Sequence, residues 1–107
     1  MKTFSEAKSQ GLETFPYDVV DYLGTPKDRA EYLDVWLEDF PEDIKGLSKA
    51  IGDLARAHGM SEVASTAGVS RVSLYRSLSE RGNPSFATVM RVLTAMGIRL
   101  RAEPVNP

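Results

Sequence analysis

Ser70, Arg71, Ser73, Tyr75, Arg76 and Ser79 fall within ten residues, SRVSLYRSLS, that contain no acid. Guanidinium forks and hydroxyls are the groups that hydrogen-bond phosphate oxygens and base edges, and Val72 among them could lie against a thymine methyl or be partly buried in the fold. Arg81 adds a charge beyond them. Asn83 and Ser85 stand at the start of the next apolar run, where a helix would offer unpaired backbone amides to a phosphate. Catalytic chemistry is not indicated. Ser70 lies between Val69 and Arg71 without the glycines of a nucleophile elbow, and there is no phosphate loop, metal-ligand cluster or acid pair placed for proton transfer. His58 has no second histidine or cysteine to share a metal and reads as a packed or capping residue. No cofactor is implied.

Such groups reach a duplex groove only if they project from a helix braced across another. Glu62 to Leu78 reads as that pair, two short helices hinged at Gly68. Ala64 is small enough for the backbones to cross, Gly68 can take positive φ at the bend, and Ser70 can cap the second helix. Val63, Ala67, Val69, Leu74 and Leu78 supply the inner faces. The layout is that of a helix-turn-helix that reads DNA; an ordinary helical hairpin in a core would satisfy the inner residues but not explain the outer ones. With few cationic groups per subunit, binding should depend on a homodimer reading an inverted repeat in double-stranded DNA, its half-sites about 34 Å apart or a multiple of that.

The 107 residues suffice for one core, so residues 16–103 are expected to form a single helix-turn-helix domain between a mobile arm, 1–15, and a tail, 104–107. Absence of cysteine excludes disulfides and thiolate sites. No apolar run of membrane-spanning length exists, and the polar N-terminus is unlike a signal peptide, so a cytoplasmic protein without membrane contact is expected. Net charge is −2, but residues 1–45 hold eleven acids and five bases while residues 46–107 hold four acids and eight bases. The halves differ in sign, which suggests two different partners or charges clustered by chance on solvated faces.

The expected fold is all-α, a small domain of five to six helices. Pro16 marks the first ordered element, a short helix over Tyr17 to Leu23 that ends at Gly24 in a left-handed conformation. Thr25 caps the next, with Pro26 at its first position, Asp28 in its first turn, and Ala30, Leu33, Leu37 and Phe40 facing inward. Tyr32, Val35 and Trp36 widen its apolar sector into a candidate partner surface, unless the domain needs those aromatics inside. Pro41 begins a helix with Ile44, Leu47, Ile51 and Leu54 inward. After the hinged pair, Asn83 caps and Pro84 opens a helix with Phe86, Val89, Met90, Leu93 and Met96 inward, and Gly97 stops it. Ile98 to Ala102 alternates and is a candidate short strand. The last helix with that segment, or the Tyr32, Val35 and Trp36 face, could form the dimer surface.

The run LSKAIGDLARAHGMSEVASTAGVSRVSLYRSLSERGNPSFATVMRVLTAMGIRL, with YDVVDYLG and AEYLDVWLED before it, resembles the addiction-module antidote proteins. These are HigA-like antitoxins with a phage-repressor-like helix-turn-helix. The likeness covers about Tyr17 to Leu100 and is most specific in GDLARAHGMSEVA, SLYRSLSERGNPSF and MGIRL. It implies a dimeric DNA-binding antitoxin that neutralises a small basic toxin protein, a RelE/HigB-like ribonuclease, and represses the shared operon. Operator contacts would come from Ser70, Arg71, Tyr75 and Arg76, with Asn83 and Ser85 near phosphate. Phe40 departs from the pattern, because a small acid is expected to cap before Pro41. Two other readings stay open: a prophage-type transcriptional regulator without a toxin, and an adaptor whose helix-turn-helix only packs a core.

Overall fold

A computed structural model describes residues 19–79 and 81–106, and every regular element among them is helical. The expected N-terminal arm and the start of the first short helix lie outside the described residues. A single 3-10 turn, Val19–Tyr22, leads into five helices: α1 (Pro26–Asp39), α2 (Ile44–His58), α3 (Met60–Ala67), α4 (Arg71–Ser77) and α5 (Phe86–Ala95). Among the described residues, no helix is long and apolar enough to cross a membrane.

Local hydrogen bonding explains where the helices begin. The Thr25 hydroxyl accepts the Asp28 N–H at 3.0 Å, with Pro26 at the first helical position as expected. Gly24 does not take positive φ, since Thr25 follows at once as cap. Pro41 does not open α2. Asp43 does the capping, its carboxylate accepting the Gly46 N–H at 2.9 Å, while the Phe40 N–H closes the end of α1 on the Trp36 carbonyl. An acidic cap thus exists three residues after Phe40, and the helix starts at Ile44. Similarly Ser85, not Asn83, caps α5 by accepting the Thr88 N–H at 3.1 Å, so Phe86 rather than Pro84 opens that helix.

The core is built around α2, which buries Ala50, Ile51, Leu54 and Ala55 and packs against the 3-10 turn, α1 and α3; α3 in turn packs on α4 and α5. Leu23, Leu54, Leu74, Leu93, Val63 and Val92 are fully buried. Each contributes roughly 1.5–3 kcal/mol of transfer free energy. One expected stripe is rotated, and two others lose only their first residue. In α1, Tyr32 and Leu33 are buried while Ala30, Leu37 and Phe40 are exposed. At the starts of α2 and α5, Ile44 and Phe86 overhang the core and are exposed. Ile98 to Ala102 forms no strand, because no other strand among the described residues is there to pair with it.

Tyr32 follows the alternative reading, in which the domain takes its aromatics inside. It is 5% exposed, and its hydroxyl donates to Asp53 at 3.1 Å, while Arg56 donates to the other oxygen of the same carboxylate at 2.8 Å. The buried carboxylate is therefore matched by two donors. Burial and then the Asp53 charge raise the Tyr32 hydroxyl above its ordinary value near 10, against a weaker opposing hydrogen bond with Trp36. A group whose folded pKa is raised stabilises fully below its unfolded value and loses that contribution as pH climbs past it. Urea denaturation from pH 9 to 11 should therefore show stability falling with pH, and Tyr32→Phe should make that fall shallower, at a loss of about 1 kcal/mol near neutrality. An unchanged alkaline slope would contradict this role.

Candidate nucleic-acid interface

The bend between α3 and α4 is made by one residue in the left-handed region, Gly68, with φ 75° and ψ 29°. Its N–H donates to the Ser65 carbonyl at 3.2 Å, and the next N–H, of Val69, reaches back to the Ala64 carbonyl at 3.0 Å. This paired closure satisfies carbonyls at the end of α3 and turns the chain sharply. Ala64, 3% exposed, sits at the crossing. A β-carbon on Gly68 would meet no atom within 4 Å, so only backbone strain opposes it. Gly68→Ala is expected to destabilise by about 1 kcal/mol. Gly68→Asn should lose less, and equal melting temperatures for the two variants and the parent would refute the strained bend.

After the bend the Ser70 hydroxyl caps α4 by accepting the Ser73 N–H at 3.0 Å. Leu74 and Leu78 anchor the inner side of the segment; the Leu78 carbonyl lies 3.4 Å from where a β-carbon would stand on Gly52, so α2 accepts the end of α4 closely at a residue without a side chain. What remains faces outward. Arg71, Val72, Ser73, Tyr75 and Arg76 are all exposed, Val72 at 65%, which places it outside the core.

Arg71 is held in place before any ligand arrives. Its Nη1 donates to the Ser61 hydroxyl at 3.2 Å, and its guanidinium carbon stands 5.8 Å from the centroid of the Tyr75 ring. Cation–π contact and the hydrogen bond are each weak at an exposed site, but together they reduce the freedom the side chain would lose on binding. Ser61 carries no signal in sequence, since a serine ten residues before an arginine means nothing until α3 and α4 cross.

The remaining predicted residues are less uniform. The Ser79 hydroxyl donates to the Arg76 carbonyl at 2.8 Å, so its proton is used within the chain. Ser85 is engaged as the α5 cap, and its hydroxyl also pairs with that of Thr88 at 3.0 Å. Arg81 and Asn83 are exposed in the connection to α5. Between them, Gly82 passes so close to the end of α4 that a β-carbon would fall on the Arg76 and Ser77 carbonyl oxygens, and its N–H donates to the Ser79 carbonyl at 2.9 Å. Gly82 therefore lies directly against the last turn of α4. Val35 and Trp36, predicted as partner contacts, are half-buried, with the Trp36 ring 5.2 Å from that of the exposed Phe40.

Residues 13–104 match a family model described as "Probable addiction module antidote protein". A protein of Haemophilus influenzae described as "Uncharacterized protein" is 39% identical over 87 residues, covering 81% of this chain and 88% of the relative. No solved structure matches.

Proposed function

The chain belongs to the family of probable addiction module antidote proteins, and from that premise we propose that it is a DNA-binding antitoxin which neutralises a RelE/HigB-like ribonuclease and represses its own operon as a cytoplasmic homodimer. The observation that carries the DNA half is α4. Its inner side is fixed by fully buried Leu74, and its outer side bears Arg71, Val72, Ser73, Tyr75 and Arg76 with no acid among them. Two turns of helix with that outer face fit a major groove, where guanidiniums reach guanine edges or phosphates and Val72 meets a thymine methyl.

Ser70 and Ser73 stand at the N-terminal end of α4, and Arg81, Asn83 and Ser85 flank its other end, positions suited to the phosphate backbone on either side of a groove. Ser79 contributes there only if it releases the Arg76 carbonyl. A single subunit offers few phosphate contacts, so dimerisation on an inverted repeat is what raises affinity. The toxin half rests on the family and on the acidic N-terminal half, which suits a basic partner.

The test is co-expression with the product of the adjacent small open reading frame. Co-purification of the two, with growth restored relative to that product expressed alone, supports the antitoxin. A neighbour that is absent or does not associate removes the toxin partner and leaves a prophage-type regulator of its own promoter.

A further inference from the structure

We propose that the junction of α1 and α2 is the docking surface for a basic protein, with Leu37, Phe40 and Ile44 as its apolar centre; the proposal rests on the antitoxin reading, in which that partner is the toxin. These three side chains are 39%, 51% and 59% exposed within eight residues of one another, and apolar groups gathered in this way on a small domain commonly mark a binding surface.

The surface is built, not merely exposed. Phe40 leans on Trp36 with the rings inclined at 53°, and Trp36 lies over Gly46, where a β-carbon would strike its ring. An anchor fixed from beneath loses little freedom when a partner covers it.

Charge identifies the partner's chemistry. Asp34, Glu38, Asp39, Glu42 and Asp43, interleaved with the apolar residues, are all exposed. Of the cations nearby, Arg29 is turned inward, donating to the Leu23 carbonyl at 3.0 Å, and exposed Lys45 beside Ile44 is outnumbered by these acids. A second copy of this chain would set these acids against their own kind, and a phosphate backbone would be repelled in the same way. A protein with an apolar contact ringed by lysine and arginine is the complementary occupant. Because α4 carries the opposite sign, one chain can hold such a protein and DNA through separate helices.

The experiment titrates the purified product of the adjacent open reading frame into wild-type protein, Phe40→Ala and Ile44→Ala, with melting curves and a mobility shift on the chain's own promoter as controls. Both positions are exposed, so the fold and DNA affinity should be retained while each substitution weakens protein binding by roughly 30-fold. Glu38→Lys with Glu42→Lys should slow association and flatten its salt dependence. If the wild type binds and the two alanine variants bind equally well, this surface is wrong and the antitoxin reading survives. If the wild type itself does not bind, the antitoxin reading fails and the surface falls with it.

Discussion

Leu74→Ala is expected to lower stability by about 2–5 kcal/mol, the usual range for emptying a fully enclosed leucine site. Leu74 is 0% exposed and is the one fully buried side chain of α4, so it holds this two-turn helix on the domain. Seven residues cannot maintain a helix in water on propensity alone, and packing on the core is what keeps it formed. For a domain of this size a loss of that order moves the melting temperature by ~10 °C or more. Tyr75→Ala, one residue on and exposed, should change stability by no more than about 0.5 kcal/mol. Thermal denaturation of the two variants beside the parent checks the contrast. If both melt alike, α4 is not seated by Leu74, and the outward placement of its arginines loses its cause.

Arg76→Ala and Arg71→Ala should produce the largest losses in DNA binding. A bidentate hydrogen bond to a base is worth about 1–3 kcal/mol, and a dimer loses it twice, so a base-reading arginine should account for a decrease between roughly 30-fold and 10⁴-fold. An arginine that meets only phosphate behaves differently, weakening all sequences alike and reducing the salt slope by about one for each phosphate it no longer neutralises. Arg71 allows a finer separation, because Ser61 and Tyr75 hold its guanidinium. Ser61→Ala should reproduce part of the Arg71→Ala loss and add almost nothing in the double variant. Fully additive losses would mean that Ser61 meets DNA on its own.

The bend and its cap were legible because both are local. Gly68 followed by Ser70 satisfies backbone groups only a few residues away, and such short-range demands leave their mark in residue type. Thr25 with Pro26 was legible for the same reason. Local rules misplaced two helix starts by a few residues: Asp43, after the break at Pro41, caps α2, and Ser85, two residues after Asn83, caps α5. Tyr32 is the clearest case of tertiary control. Periodicity gave Leu37 as good a claim to the interior of α1, but α2 presents Asp53 to the core, and a buried carboxylate requires a donor that Leu37 lacks. The resulting rotation of α1 leaves Leu37 and Phe40 outside, which is why the exposed apolar cluster could not be found by residue spacing. Ser61 was hidden for a related reason, since its partner is ten residues away and meets it only through the bend.

Footprinting on the chain's own promoter tests most directly that α4 enters the major groove as half of a dimer. Two protected stretches should appear on one face of the duplex, centred about one helical turn or a multiple of it apart, and Arg76→Ala should abolish both while leaving the melting temperature unchanged. No sequence-specific protection by the wild type at low salt, or protection that persists after Arg71→Ala combined with Arg76→Ala, would contradict it.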